Sequence, residues 1–149
     1  MVAHNRVIVE LAAIPENVGV ARLMAAMVAA QGEFSVAEVD EVKLAVSEAV
    51  TNAIVHGYRG DARRTVRLEA TLADGTLEIV VADDGRGIED VELARQAAVT
   101  SDPERMGLGF SFMEAHMDEV RVESAVGRGT RVTMRKRPST RDLAAARGS

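Results

Sequence analysis

The alternation of apolar and polar positions divides the chain into eight elements. A short β-branched run from Val7 to Leu11 predicts a strand over about 6–13. Ile14-Pro15-Glu16-Asn17 then opens a helix, with Pro15 suited to its first turn. Val20, Leu23, Met24, Met27 and Val28 recur at helical spacing as far as Ala30, and Gly32 stops the run. Ser35, with Glu38 three residues on, has the form of a capping box and begins a long helix that Gly57 ends. The period then changes. Val66, Leu68, Ala70 and Leu72 alternate with polar residues, Asp74-Gly75 makes a tight turn, and Leu77, Ile79 and Val81 resume the alternation. This predicts a β-hairpin over 64–83. Residues 89–106 have no clean period, with room for a short helix near 90–96. Gly107 to Met117 reads as a helix, Val120 and Val122 begin a strand, and Val126-Gly127-Arg128-Gly129 turns the chain into a partner strand from Thr130 to Arg135. Residues 1–137 are expected to form one domain and 138–149 a flexible tail. The order β-α-α-β-β-α-β-β predicts an α+β, two-layer sandwich: a mixed, mostly antiparallel sheet covered on one face by helices.

The long helix poses a question. Its stretch "SEAVTNAIVHG", Ser47 to Gly57, carries a carboxylate and an amide one turn apart among apolar residues. At about 100° per residue, Val36, Val39, Val42, Val46, Ala49, Val50, Ala53 and Ile54 fall in one arc, the face expected on the sheet. Glu48 and Asn52 lie opposite it, about 40° apart. A solvated outer face explains a Glu and an Asn there without any function. Leu44 and Val55 share that face, however, and Asn52 is a poor helix former with no cap to make. A carboxylate beside an amide oxygen in a partly apolar cleft suits a hydrated divalent cation. Mg²⁺ takes one or two protein oxygens and fills its remaining positions with waters and phosphates.

Composition narrows the classes. The 149 residues carry a net charge of −5, which argues against nucleic acid or an anionic membrane as the main partner. There is no cysteine, hence no disulfide, thiolate metal site or cysteine nucleophile. Aromatics are 3%, so Val, Leu, Ile, Ala and Met must build the core. The N-terminus shows no signal peptide, and no run approaches the roughly 20 apolar residues of a membrane span. A cytoplasmic location fits this pattern.

Two glycine clusters supply a candidate nucleotide site. In "DDGRGI", Asp83 to Ile88, the chain leaves the second hairpin strand. Asp83 can accept a hydrogen bond from an exocyclic amine such as adenine's, and Gly85 and Gly87 allow close backbone approach. In "MGLGF", Met106 to Phe110, Gly107 and Gly109 open a helix whose free N–H groups favour phosphate, with Arg105 positioned to add charge. Each cluster alone is equally a tight turn, and neither is a dinucleotide fingerprint or a P-loop. Their order along the chain, after Glu48 and Asn52, is the informative feature.

That ordered set resembles the Bergerat ATP-binding fold of the GHKL superfamily. Within it, "VSEAVTNAIVHGY" (Val46 to Tyr58) and "GLGFSFMEAHMDEVRVES" (Gly107 to Ser124) resemble bacterial anti-sigma F factors, serine kinases of sporulation. The similarity spans about residues 6–136. It implies a protein that binds ATP and Mg²⁺, sequesters a sporulation sigma factor, phosphorylates a serine of an anti-anti-sigma factor, and forms a homodimer. By the same resemblance Glu48 is the catalytic base and Asn52 the Mg²⁺ ligand. Asp83 contacts adenine with help from the Thr130 hydroxyl. Gly85, Gly87, Gly107 and Gly109 shape the pocket and its lid, Arg105 reaches phosphate, and Arg22 contacts the protein partners. Two features depart from the family pattern: the segment between Gln96 and Gly107 is about two residues short, and Met106 replaces a small polar residue.

Three other readings compete: a stress-response anti-sigma kinase on the same fold, a detached histidine-kinase domain, and a nucleotide-dependent binding module without catalysis. His56 is a poor phosphoacceptor candidate, since it follows Asn52 by four residues in the same helix. No dimerisation helix bearing a phosphorylatable histidine precedes it. Glu48 speaks against a module without catalysis.

Overall fold

The computed structural model describes residues 3–88 and 109–139. The described elements are β1 (His4–Ala12), α1 (Glu16–Ala29), α2 (Val36–Thr51), a π-helical turn (Asn52–Gly57), β2 (Thr65–Ala73), β3 (Thr76–Asp83), α3 (Phe110–His116), β4 (Glu119–Ala125) and β5 (Gly129–Lys136). The five strands form one sheet in the order β1-β2-β3-β5-β4, and every pairing is antiparallel. The two-layer α+β expectation holds, without the parallel pair that a mixed sheet implies. The segment at 90–96, Arg105, Met106, Gly107 and the expected lid lie outside the described residues.

Local chemistry accounts for the element boundaries. Asp74 and Gly75 both have positive φ (53° and 79°), the backbone of a two-residue hairpin turn, and bring Ala73 opposite Thr76. Ser35 and Glu38 form the predicted capping box. The Ser35 hydroxyl accepts from the Glu38 N–H at 3.1 Å, and the Glu38 carboxylate accepts from the Ser35 N–H at 2.9 Å. Helix α3 begins at Phe110 rather than Gly107, because Gly109 sits in the left-handed region (φ 63°) and breaks the helical path there.

The core lies between the helices and one face of the sheet. Val66, Leu68, Leu72, Leu77, Ile79 and Met134 point inward from the strands to meet Val42, Val46 and Val50 of α2 and Phe110 and Met113 of α3, all fully buried. The opposite sheet face is polar and carries the ion pairs Arg6–Glu69 and Arg135–Glu78, both at 2.7 Å, which suits a face that no helix covers among the described residues. One expectation about helix faces needs correction. Val36 is 81% exposed, because the first residue of α2 projects beyond the packed layer. On α1 the buried stripe is Ala21, Ala25, Ala26, Val28 and Ala29, while Val20, Leu23 and Met27 are exposed. Alanine lets α1 and α2 approach closely, so small residues rather than large ones face the core.

The tail expected from residue 138 is anchored at its start. Pro138 is fully buried, and the Ser139 N–H donates to Glu38 Oε2 at 2.9 Å. One carboxylate thus caps α2 and holds the chain just after β5.

Candidate active site

Glu48 and Asn52 sit at the end of α2, where the helix widens into the π turn. Such turns are rare and concentrate at functional sites, because tertiary contacts must hold them. Two contacts are visible here. The Gly57 carbonyl accepts from the Arg86 N–H at 3.0 Å, and the His56 carbonyl accepts from Arg86 Nε at 2.7 Å. The turn is thereby tied to the loop after β3. His56 contributes its main chain to this tie. Asn52 is buried at 8% exposure, and Glu48 is half-buried. Leu44 and Val55 are 44% and 50% exposed, so the face around Glu48 is partly apolar, as the pattern suggested.

Asp83 ends β3 and is only 9% exposed. Glycines enclose it. A Cβ on Gly57 would stand 2.8 Å from Asp83 Oδ1, and one on Gly85 would stand 2.9 Å from the same atom. A Cβ on Gly129 would strike the Asp83 carbonyl. The carboxylate accepts from the Gly85 N–H at 2.9 Å. Burial pushes the Asp83 carboxyl above its ordinary 3.8, against the backbone N–H groups of Gly85 and Thr130, which pull it down. Thr130 lies opposite Asp83 in the β3–β5 ladder, and its hydroxyl shares a 2.8 Å hydrogen bond with Ser124. Ser124 in turn accepts from the Ile88 N–H at 2.7 Å. Gly87 has φ 75° and lies against the Ala125 carbonyl, which closes the loop onto the β4–β5 turn.

Tyr58 joins these parts. Its hydroxyl donates to the Thr65 carbonyl at 2.6 Å and accepts from the Asp84 N–H at 2.7 Å. Arg64 lies 5.0 Å over the Tyr58 ring and donates to the Asp84 carbonyl at 2.7 Å. Burial raises the Tyr58 hydroxyl above its ordinary 10.0, so it remains a donor at neutral pH.

Gly109, from the second glycine cluster, reaches Glu48. A Cβ on Gly109 would run into Glu48 Oε2 and stand 3.1 Å from Cδ. At the other end of α3, Lys136 Nζ donates to the His116 carbonyl at 2.5 Å and to Glu41 Oε2 at 2.7 Å. Gly109 therefore meets α2 at residue 48 and His116 meets it near residue 41, so α3 runs antiparallel to α2.

Of the residues singled out in the sequence, Glu48 and Gly109 form one contact group, and Asp83, Gly85 and Thr130 another. The helix end from Glu48 to Gly57, nine residues that include Asn52 and the π turn, links them over about 13 Å at the α-helical rise. Gly87 closes the rim. Arg22 is half-buried on α1 beside exposed Val20 and Leu23. Arg105 and Gly107 lie outside the described residues. Sequence reasoning missed Tyr58, Arg64, Arg86 and Ser124 as supports, and read Gly57 and Gly129 as chain breaks rather than as walls of the Asp83 niche. "HGY" and "GRG" carried the only signal.

The niche fits an adenine nucleotide. A buried carboxylate stands ready to accept an amine, and four glycines keep side chains away from it and from Glu48. Among the described residues no group of three or more His, Cys, Asp or Glu could hold a metal ion. The buried Asn52 amide carries a hard oxygen of the kind Mg²⁺ takes beside nucleotide phosphates.

An antiparallel sheet under one helix layer, with an acidic strand end facing a helix that bears Glu and Asn, defines an ATPase of the GHKL type. The chain belongs to this family: the sequence model described as "Histidine kinase-like ATPase domain" matches residues 11–136.

Within the family it is similar to anti-sigma F factors. It is 42% identical over 138 residues to the one from Clostridium perfringens (strain SM101 / Type A), covering 91% of this chain and 99% of that protein. It is 44% identical over 135 residues to the one from Geobacillus kaustophilus (strain HTA426), covering 89% and 92%. Two solved structures share the fold. The RsbU and RsbW domains of Rv1364c from Mycobacterium tuberculosis align with TM-score 0.65 at 24% identity, over 89% of this chain and 32% of that one. The blue-light activated histidine kinase EL346 of Erythrobacter litoralis aligns with TM-score 0.59 at 22% identity, over 87% and 43%. Among the described residues no helix is long and apolar enough to cross a membrane.

Proposed function

We propose that the chain is an anti-sigma factor and serine protein kinase: it binds ATP with Mg²⁺, sequesters a sporulation sigma factor and phosphorylates a serine of an anti-anti-sigma factor. The observation that carries the catalytic part is the pairing of two niches on one helix end. Glu48 is packed against Gly109, and Asp83 is enclosed by Gly57, Gly85 and Gly129. The partners come from the relatives named anti-sigma F factor.

The chemistry follows from the residues. Asp83 accepts the exocyclic amine of adenine, and Gly85 and Gly87 shape the loop beside it. Thr130 holds its hydroxyl in the Ser124 network at the edge of the niche. Bound Mg²⁺ supplies positive charge that offsets the charge on the transferring phosphoryl group, and Asn52 is its ligand in the chain. Arg105, Gly107 and Gly109 complete the phosphate side. Glu48 takes the acceptor serine's proton as the serine oxygen bonds to the γ-phosphorus. The bond from that phosphorus to the β–γ bridging oxygen breaks, and ADP leaves. The new phosphate on the partner repels acidic surface and weakens its hold on this chain. Arg22 contacts the protein partners, and two copies of the chain form the functional dimer.

The test uses purified chain, radiolabelled ATP, the sigma factor and the anti-anti-sigma protein. Label on a partner serine, lost in Glu48→Gln with nucleotide binding intact, supports the reading. Undiminished transfer by Glu48→Gln removes the base role. Label on His56 would make the chain a histidine kinase, and absence of label would leave a binding module.

A further inference from the structure

We infer that Gly109 is a positioning residue for Glu48: the missing side chain at 109 leaves the volume that the Glu48 carboxylate occupies. This rests on the reading of Glu48 as the base and adds a second residue to its function.

Three observations support it. A Cβ at 109 would collide with Glu48 Oε2 and lie 3.1 Å from Cδ. Gly109 is fixed in place, because Phe110 and Met113 immediately after it are fully buried in the core. The far end of α3 is also held, by Lys136 bonding the His116 carbonyl and Glu41 together. Helix α3 cannot retreat from an added methyl group. The flexible partner in the contact is the end of the Glu48 side chain, which is half-buried. A methyl group at 109 therefore moves the carboxylate rather than the helix. A displacement of about 1 Å in a reacting group costs on the order of a hundredfold in rate.

Backbone strain is the competing cause, since Gly109 has φ 63°. Gly60 provides the control: its φ is 77° and nothing lies within 4 Å of a Cβ there, so Gly60→Ala carries the strain without the collision.

Wild type, Gly109→Ala, Gly60→Ala, Glu48→Gln and Gly109→Ala/Glu48→Asp should be compared as purified full chains. Gly109→Ala is expected to lower phosphoryl transfer by about tenfold or more, a loss that persists at saturating ATP. Gly60→Ala should transfer normally. Glu48→Asp, which withdraws the carboxylate by one methylene, should restore part of the rate in the Gly109→Ala background. In nucleotide-free protein, the ¹³C resonance of the Glu48 carboxyl should move in Gly109→Ala and stay in Gly60→Ala. If Gly109→Ala does not fold, Gly109→Asn tests the same Cβ in a residue that tolerates the left-handed region. The inference is overturned by normal transfer in Gly109→Ala, by an equal loss in Gly60→Ala, or by a loss confined to KM. If Glu48→Gln transfers normally the base reading itself has failed. If Glu48→Gln is inactive while Gly109→Ala is normal, only the role of Gly109 falls.

Discussion

Replacing Asp83 with Asn tests the adenine niche with little change of shape. The carboxylate is 9% exposed, and the partners visible around it are N–H donors: Gly85 at 2.9 Å and the backbone of Thr130. An adenine amine would be another donor. An ionised carboxylate has acceptor sites for all of them, whereas an Asn side chain offers one oxygen and one NH₂ group. Whichever way the amide turns, one donor faces another donor in a buried site. A hydrogen bond to a charged group is worth about 1.5–3 kcal/mol, so losing the one to adenine should weaken ATP and ADP binding by roughly 10- to 150-fold. Calorimetric titration of wild type and Asp83→Asn with ATP, ADP and GTP measures this. The selectivity for ATP over GTP should collapse along with the affinity. An ATP dissociation constant within about twofold of wild type would refute the argument and place the purine elsewhere.

The same carboxyl gives a pH dependence of defined sign. Its native pKa lies above the ordinary 3.8, so the protonated form gains relative stability on folding. Folding stability from this group therefore falls as pH rises from about 3.8 through the native pKa. Nucleotide binding runs the other way, because protonation replaces an acceptor with a donor. ATP affinity should drop on acidification with a midpoint above 3.8, and Asp83→Asn should abolish that step.

Three further perturbations probe the supports. Tyr58→Phe removes a hydroxyl that accepts from Asp84 and donates to Thr65; it should cost about 1–3 kcal/mol in urea unfolding and weaken ATP binding without changing the transfer rate at saturation. Glu38 is pushed up by burial, but the Ser35 and Ser139 hydrogen bonds and nearby Lys136 outweigh this and leave it below its ordinary 4.5. Its contribution is present above pH 4.5 and is lost as pH falls through the lowered native value, so acid unfolding monitored by circular dichroism should be shallower below pH 4.5 in Glu38→Gln. Lys136→Met breaks a pair whose lysine side chain is 7% exposed and whose Glu41 is 42% exposed. Because Glu41 can rehydrate, the loss should be about 1–3 kcal/mol, below the 3–5 typical of a pair buried on both sides.

How far the sequence revealed the protein depended on whether the cause was local. The hairpin was legible because Asp74-Gly75 sets its own positive φ angles, and the start of α2 because Ser35 and Glu38 satisfy each other within one turn. Glu48 and Asn52 stood out because a polar pair interrupted a partly apolar helix face. The apolar spacing of α1 marked a helix without marking its buried side: Leu23 and Met27 match the period and are exposed, whereas Ala21, Ala25 and Ala29 are buried. The π turn left no local pattern at all. Its widened backbone is held by Arg86 and precedes Tyr58, whose hydroxyl partner Asp84 lies 26 residues away in sequence.

The glycines show the same division, and they bear most directly on function. From the sequence, Gly57 ends a helix and Gly129 belongs to a turn; in the structure Gly57 closes the π turn, while Gly129 is the first residue of β5. In the fold, each also clears space beside Asp83, as Gly109 does beside Glu48. A glycine's local freedom can be read from one position, but what approaches it depends on a distant part of the chain. The site is therefore defined as much by side chains that are missing as by Glu48, Asn52 and Asp83. Adding a methyl group at 57, 85, 109 or 129 should harm it more selectively than adding one at Gly60 or Gly127, where nothing lies within 4 Å.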